Sequence, residues 1–287
     1  MASLFYIKNG GMLMFQRIFK NVQERTPIVH CITNYVTVND VANIILASGA
    51  WPIMADDIEE VSDITSICNS LVLNIGTLNS RTIESMVKAG KKSNELIHPV
   101  VLDPVGVGAS RLRMDTTLRL LKEIKLSVIR GNASEIKAIL NKTETSSGVD
   151  VSLEDNINED NIDEYIEMGK EISKTNNAVV AITGPIDIVT NGKKTYLIRN
   201  GHKNMGRITG TGCMLSGLIG GFIGANSENI LESTALAVAA MGLCGELANE
   251  KSIGKGLGTG SLRTYLIDYM SNLNEEKLNG GMKIEVK

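Results

Sequence analysis

Short β-branched runs alternate with longer helical patterns along most of the chain, and this alternation limits the fold more than any other feature. Six runs predict strands: Pro27–Thr33, Leu71–Ile75, Val100–Asp103, Leu126–Arg130, Ala178–Thr183 and Thr195–Arg199. The segments between them predict helices at Asn39–Ala47, Arg81–Lys91, Thr116–Ile124 and Glu164–Lys174. Three more helices are predicted at Thr211–Ile223, Ile230–Asn249 and Ser261–Leu273. Such alternation is typical of βαβ units, which build a mainly parallel sheet covered by helices on both faces.

The chain of 287 residues contains one polar, acidic segment of loop character, from Lys142 to Asn161. The alternation resumes directly after it, and neither half of the chain would close a sheet alone. We therefore expect one domain over residues 15–287. Because Met12 and Met14 could serve as alternative starts, we expect residues 1–14 to be a dispensable extension.

Charge and composition exclude several classes of protein. The net charge is -3 with acids and bases well mixed, so a nucleic-acid surface has little electrostatic support. The longest apolar stretch, Cys213–Ala225, is shorter than the ~20 residues of a membrane-spanning helix, and the start lacks the basic region of a signal peptide. The four cysteines are scattered without zinc-ligand spacing, which favours a reducing compartment. The sequence thus predicts a cytoplasmic protein that binds neither membrane nor nucleic acid.

The sharpest local motif is Ile-Thr-Gly-Thr-Gly-Cys at residues 208–213, which lies directly before an apolar helix. Gly210, Thr211 and Gly212 can expose successive N–H groups where the helix dipole is positive, a combination that suits phosphate or a moving phosphoryl group. The alternative is an ordinary helix start whose glycines serve close packing. Cys213, in the first turn, could be a weak base or a group that only lines the site.

Polar residues also stand at the predicted strand ends, where open α/β sheets bind ligands. Asp103 is placed to hold Mg²⁺, although it could instead accept hydrogen bonds from its own turn. Glu135 could share the metal or could compensate a helix dipole. Arg130 ends a buried strand, where a guanidinium favours an anion as its partner. Asn34 and Met54 are candidates to line a ring-sized pocket, and Met54 taken alone reads as core filler.

These residues, taken together, resemble the hydroxyethylthiazole kinases of the ribokinase-like superfamily. The likeness runs from about Phe15 to about Leu273. The matching stretches are VHCITNYVTVNDVANIILASGAWPIMADDIEEV, LNIGTLN, VLDPVGVGAS, VIRGNASEI, AITG and ITGTGCMLSG. The first and last of these stretches are specific to the thiazole kinases, whereas DPVGVG and RGNASE alone would fit relatives that act on other alcohols.

The resemblance implies a three-layer α/β/α domain, assembled as a homotrimer with sites at subunit interfaces. It implies MgATP as the phosphoryl donor and 4-methyl-5-(2-hydroxyethyl)thiazole as the acceptor in thiamine salvage. By position, the family's site residues fall on Arg130 and Thr183 for ATP, Asp103 and Glu135 for Mg²⁺, Met54, Gly210, Asn34 and Val36 for the thiazole, and Gly210, Thr211 and Gly212 for the anion hole. Most ribokinase-like kinases have an aspartate base at the position of Cys213, whereas thiazole kinases resemble this chain in having cysteine.

Three other functions stay open from the sequence. One is a kinase of the same fold for hydroxymethylpyrimidine or a pyridoxal-like alcohol, and another is a lyase that repairs hydrated nicotinamide nucleotides. Cys213 argues against both, since those relatives are expected to keep aspartate. The third is a nucleotide-binding regulator without catalysis. The intact Asp103, Glu135 and Arg130 argue against it.

Overall fold

The computed structural model describes residues 9–143 and 157–287. Its strands are β1 Ile28–Ile32, β2 Trp51–Met54, β3 Ser70–Asn74, β4 Val100–Asp103, β5 Val128–Asn132, β6 Val179–Thr183, β7 Asp187–Thr190, β8 Thr195–Ile198 and β9 Ile284–Val286. They form one sheet in the order β2-β1-β3-β4-β5-β6-β7-β8-β9. Strands β1 to β6 pair in parallel, and β7, β8 and β9 continue the sheet antiparallel. The predicted α/β fold with a mainly parallel sheet is confirmed.

Helices cover both faces of this sheet. They are α1 Asn9–Arg25, α2 Val38–Ala47, α3 Val61–Ile67, α4 Ser80–Glu95, α5 Arg111–Glu123, α6 Ala133–Thr143, α7 Ile162–Asn176, α8 Thr211–Ala225, α9 Ile230–Gly254, α10 Thr259–Ser271 and α11 Glu275–Gly281. Successive side chains of a strand point to opposite faces, so on β3 Val72 packs into one core while Leu71 and Leu73 pack into the other. The first core contains α1, α2 and α8 to α11, and the second contains α3 to α7. The result is the expected α/β/α arrangement.

Strand β2 was not predicted, and its position explains why it forms. It lies at the edge of the sheet and contains Pro52, a residue that cannot donate to a neighbouring strand. An edge strand has one unpaired side, so a proline is tolerated there. From the sequence, only Met54 at the end of this segment is assigned a place, as pocket lining or core filler.

The structure describes only parts of the expected N-terminal extension and of the expected loop at 142–161. Residues 1–8 of the expected extension lie outside the described residues, whereas residues 9–14 begin helix α1, which continues to Arg25. Beyond them Phe15, Ile18 and Val22 of the same helix are buried in the first core. Of the expected loop at 142–161, residues 144–156 lie outside the described residues.

Helix α9 is long and apolar enough to cross a membrane by length and composition, but 78% of its most apolar window is buried inside the protein. It packs against α8 and α10 and beneath β6, β7 and β8. A core helix shows the same composition as a spanning helix, so these contacts account for its apolar character.

Helix α4 ends in a strained turn at Ile97. Ile97 has φ +59 and is 88% exposed, and the amides of Ile97 and His98 donate to Asn94 and Ser93 across the helix end. This is a Schellman ending, which favours glycine at the left-handed position because a β-branched side chain is strained there. We expect Ile97→Gly to raise the free energy of unfolding by about 1 kcal/mol in chemical denaturation. Ile97→Val keeps the β-branch and should give no gain; a glycine variant no more stable than the valine variant would contradict this account.

Candidate active site

The polar strand ends meet at one edge of the sheet, as parallel pairing requires. The carboxyl ends of β3, β4, β5 and β6 place Asn74, Asp103, Arg130 and Thr183 near the start of α8. This is the edge at which open α/β sheets bind ligands. The structure thus brings Asp103, Arg130, Thr183 and the glycine motif into one site.

The glycine motif adopts a backbone that only glycine fits well. Gly210 precedes α8 with φ +88, and a Cβ atom built there would lie 2.4 Å from Cγ2 of Thr37. A Cβ on Gly212 would lie 2.5 Å from Nη1 of Arg130. The glycines therefore allow the chain to pass closely under Thr37 and the guanidinium. The first N–H groups of α8, which have no intrahelical acceptor, are left for an anion.

Arg130 is held beside this helix start. Its Nη2 donates to Oγ1 of Thr183 at 2.7 Å, and its Nη1 lies 3.6 Å from Oδ1 of Asp103. No hydrogen-bond partner in the described part of the chain reaches its Nε. Arg130, Thr183, Thr211 and Gly212 line a cavity of about 500 Å³ whose floor includes Met241 of α9.

Asp103 is fully buried, and its two oxygens differ. Oδ2 accepts hydrogen bonds from Nδ2 of Asn74 and Oγ of Ser216, each at 2.8 Å, whereas no donor among the described residues reaches Oδ1. Burial raises the pKa of Asp103 to about 6, against the opposing charge of Arg130. A buried carboxylate oxygen without a partner is a suitable ligand for a hard cation or its water.

Glu135 is engaged with the backbone. Its Oε1 accepts from the amide of Gly106 and its Oε2 from the amide of Asn132, both at 2.8 Å. It therefore joins the loop after β4 to the start of α6. Each oxygen keeps a second lone pair, so Glu135 can still accept from a metal-bound water. Within residues 9–143 and 157–287, no cluster of three metal-ligating side chains exists. Mg²⁺ usually keeps several waters and takes only one or two protein carboxylates, a requirement that the buried Oδ1 of Asp103 and the second lone pairs of Glu135 can meet.

Cys213 lies in the first turn of α8 and is 9% exposed. Nδ2 of Asn34 donates to its sulfur at 3.2 Å. Burial, followed by the charge of Asp103, raises the pKa of the thiol above its usual value. At neutral pH the thiol therefore stays protonated, and less thiolate is available to accept a proton than the helix start alone suggests.

The structure brings together only some of the residues predicted for the ring pocket. Met54 lines a cavity of about 220 Å³ together with Thr33, Tyr35 and Val38. Asn34 is buried behind it and contacts Cys213. Val36 borders neither this cavity nor the one beside Arg130, and it is 61% exposed.

A larger cavity, of about 1000 Å³, lies at the opposite edge of the sheet. It is lined by residues that precede β5 and β6, with Lys125, Lys174 and Lys193 among them. The carboxyl ends of α4 and α7 lie there, and their dipoles disfavour anions. Size alone therefore does not make it the active site.

Sequence reasoning missed three polar side chains of the site: Asn74, Ser216 and Asp187. Asn74 lies inside the predicted strand Leu71–Ile75, and Ser216 lies in the predicted helix Thr211–Ile223, most of whose residues are apolar or glycine. Ser216 could have been found from its position three residues after Cys213, since residues three apart share a helix face. Asp187 follows the strand end at Thr183 and lines the cavity beside Arg130.

Asp187 should make stability depend on pH. Burial raises its pKa to about 7, although it accepts a hydrogen bond from the amide of Gly184. A carboxyl in the unfolded chain titrates near pH ~4, so Asp187 costs stability increasingly as the pH rises from there through 7. We expect Asp187→Asn to raise the free energy of unfolding by about 1 to 2 kcal/mol at pH 8 and by less at pH 5. Denaturant unfolding at both pH values measures this; an equal gain at both would contradict it.

The chain is similar to known proteins over most of its length. The model of the family described as "Hydroxyethylthiazole kinase family" matches residues 19–276. The chain belongs to the hydroxyethylthiazole kinase family. A hydroxyethylthiazole kinase from Clostridium acetobutylicum is 53% identical over 272 residues, covering 95% of this chain and 99% of that protein.

Solved structures of thiazole kinases and of more distant kinases share the fold. The hydroxyethylthiazole kinase of Pyrococcus horikoshii aligns with a TM-score of 0.85 at 35% identity, covering 96% of this chain and 99% of that one. The pyridoxal kinase of Staphylococcus aureus, in complex with AMP-PCP, aligns with a TM-score of 0.52 at 14% identity over 74% of this chain and 86% of that one. The second likeness shows the fold alone, which is that of the ribokinase-like kinases.

Proposed function

We propose that this chain transfers the γ-phosphoryl group of ATP to the hydroxyl of 4-methyl-5-(2-hydroxyethyl)thiazole, in thiamine salvage. The observation that carries the proposal is the membership of the thiazole kinase family. The position of the glycine motif supports it: the start of α8 lies beside the cavity of Arg130 and contacts Thr37, next to the residues that line the ring cavity.

On the donor side, we propose that Arg130 and Thr183 bind the phosphates of ATP in the cavity of about 500 Å³. The guanidinium is ordered by Thr183 yet keeps Nε without a protein partner among the described residues. A planar guanidinium binds phosphate oxygens through two parallel hydrogen bonds. The pair is therefore prepared for an anion before ATP binds.

We propose that Asp103 and Glu135 organise Mg²⁺, Asp103 through its free Oδ1 and Glu135 through water. Mg²⁺, when bound with ATP, supplies positive charge that neutralises the phosphate oxygens. The support for this assignment is the buried Oδ1 of Asp103, which accepts no hydrogen bond from the described residues and has Nη1 of Arg130 beside it at 3.6 Å.

On the acceptor side, we propose that Met54, Asn34, Val36 and Gly210 border the thiazole. Tyr35 lines the ring cavity and Val36 follows it in the chain, and both are exposed, with 78% and 61% of their surfaces accessible. A second subunit placed over them would complete the pocket. The exposed apolar residues support a subunit interface at each site, and we propose that the assembly is a homotrimer.

We infer that the new bond forms between the hydroxyl oxygen and the γ-phosphorus as the bond to ADP breaks. The N–H groups of Gly210, Thr211 and Gly212 stabilise the charge on the moving phosphoryl group. Since the thiol of Cys213 is protonated, the hydroxyl proton passes to water or to the phosphate product rather than to a thiolate. Positioning and charge stabilisation, which dominate phosphoryl transfer, then account for the rate acceleration.

Substitution of Cys213 tests this role. We expect Cys213→Ala to lower kcat by less than about 10²-fold, because no strong base is removed. Cys213→Asp should keep or raise activity, since a carboxylate can accept a hydrogen bond from Nδ2 of Asn34 and, unlike the thiol, is ionised at neutral pH and free to accept a proton. Initial rates of ADP release measure both. A loss above about 10⁴-fold for the alanine variant, the top of the range for general-base catalysis, would show that the thiol is the base.

We further infer a cytoplasmic enzyme whose residues 15–287 form one kinase domain. The four cysteines are free and buried, which is consistent with a reducing compartment. A continuous sheet uses strands from both sides of residues 144–156, which supports a single domain.

The direct test is ADP release with MgATP, with hydroxyethylthiazole, hydroxymethylpyrimidine and pyridoxal compared side by side. We expect turnover with the thiazole alcohol to exceed that with the others. Preferred turnover with another alcohol would overturn the substrate assignment while keeping the kinase. No turnover with any would overturn the proposed activity, and hydrated NADH would then be the next substrate to test.

A further inference from the structure

The carboxylate of Asp103 is oriented by neutral donors, and Asn74 is the central one. Nδ2 of Asn74 holds Oδ2 of Asp103 at 2.8 Å, and Oγ of Ser216 holds the same oxygen from α8. The second oxygen, Oδ1, is left for the side of Arg130. Oδ2 thus accepts two hydrogen bonds, whereas Oδ1 accepts none from the described residues.

The amide of Asn74 can face only one way. Its Oδ1 accepts from the backbone amide of Gly76 at 2.9 Å, and a backbone N–H can only donate. The same oxygen accepts from Nδ2 of Asn34 at 3.0 Å. The nitrogen must therefore point at Asp103, and both acceptor positions of Oδ1 are used.

Asn34 continues the same polarity toward Cys213. Its Oδ1 accepts from the amide of Thr37 at 3.1 Å and from the hydroxyl of Thr37 at 3.0 Å. Its Nδ2 is then shared between Asn74 and the sulfur of Cys213. One chain of donors runs from Thr37 through Asn34 and Asn74 to Asp103, with Cys213 as a branch.

We propose that Asn74 is a positioning residue for phosphoryl transfer, which sets the separation between the carboxylate of Asp103 and the thiol of Cys213. The inference rests on the proposed function, because these two groups stand on the metal side and the acceptor side of that reaction. Asn74 is 2% exposed and lies on β3. On one side of β3 is β4, which carries Asp103, and on the other is β1, which is followed by Asn34, the partner of Cys213. Asn74 touches neither substrate and acts through Asp103 and Asn34.

Loss of Asn74 should release both ends of this chain of donors. Oδ2 of Asp103 would keep only Ser216, and Nδ2 of Asn34 would lose its acceptor on β3. Outer-shell partners of this kind typically contribute about 10- to 100-fold to metal affinity or activity. The loss should appear in kcat and in Mg²⁺ affinity, while the ring pocket around Met54 stays intact.

The experiment compares Asn74→Ala and the equal-sized Asn74→Asp with wild type in the full-length enzyme. We expect each to lower kcat by about 10- to 100-fold with the KM for the thiazole alcohol changed by less than about threefold. In parallel, the thermal stabilisation by ADP is titrated with Mg²⁺, without turnover. The Mg²⁺ concentration needed for half of the effect should rise by about 10-fold or more. If the alanine variant does not fold, the aspartate variant provides both readouts.

Asn226→Ala is the matched control. Asn226 is another buried asparagine, at the end of α8 far from the site, and its Nδ2 donates to Ile18 and Phe222. This control should lose stability but keep kcat and the Mg²⁺ titration. Asn74 variants that behave like the control would overturn the proposal. If wild type does not phosphorylate the thiazole, the proposed function fails, and the Mg²⁺ titration with ADP still decides the role of Asn74.

Discussion

Replacing Arg130 by methionine should lower kcat/KM for MgATP by about 10³-fold, within the range that a phosphate-binding arginine contributes to phosphoryl transfer. The guanidinium is already fixed by Thr183 and lies over Gly212 at the start of α8. Methionine keeps much of the apolar stem but removes the charge and all five donors. The KM for the thiazole alcohol should change little, since Arg130 does not line the cavity of Met54.

Two further arginine variants sharpen this result. Arg130→Lys keeps the charge but loses the planar fork, so we expect a smaller loss, of about 10²-fold. Arg119→Met is the control, because Arg119 pairs with Glu84 and Glu123 on the surface of α5 and should leave both kinetic constants unchanged. Steady-state kinetics with varied ATP measure all three. A methionine variant at position 130 within tenfold of wild type would remove Arg130 from the nucleotide site.

Replacing Gly210 by alanine should affect both stability and rate. A Cβ would meet Thr37 at 2.4 Å, and the φ of +88 disfavours any other residue. Strain and overpacking together should lower the free energy of unfolding by about 2 to 4 kcal/mol. Because Thr37 holds Asn34, and because the N–H groups of the anion hole follow Gly210, kcat should fall by about 10²-fold or more.

Gly260→Ala serves as the matched control for this substitution. Gly260 lies in the first turn of α10, and a Cβ there meets nothing within 4 Å. Alanine should be neutral or slightly stabilising there and should leave kcat unchanged. Denaturant unfolding and initial rates compare the two variants. A Gly210 variant as active and as stable as the Gly260 variant would show that the anion hole does not depend on this backbone.

The sequence predicted the place of the site better than its internal connections. Asp103, Arg130 and Thr183 follow aliphatic strands, and the carboxyl ends of parallel strands must meet at one edge. The role of Asn74 could not be predicted in this way, because it depends on which side chains stand beside it on neighbouring strands. The buried Oδ1 of Asp103 is likewise a property of packing.

The missed strands have separate physical causes. Strand β2 contains Pro52, which argues against a central strand and is tolerated only because the strand lies at the edge. Strand β7 is missed although its neighbour β8 is predicted, and a usable signal was present, since Asn191-Gly192 stands between the β-branched runs of the two strands and Gly192 has φ +82. Strand β9 has only three residues and forms through its partner β8, so the sequence pattern alone is too short to predict it.

Phosphorus NMR of a reaction mixture of the purified enzyme, MgATP and hydroxyethylthiazole tests the central claim most directly. The proposed transfer predicts a new phosphate monoester that grows in equal amount with ADP and couples to the methylene protons of the hydroxyethyl arm. ADP with inorganic phosphate and no such ester, or no consumption of ATP, would contradict it.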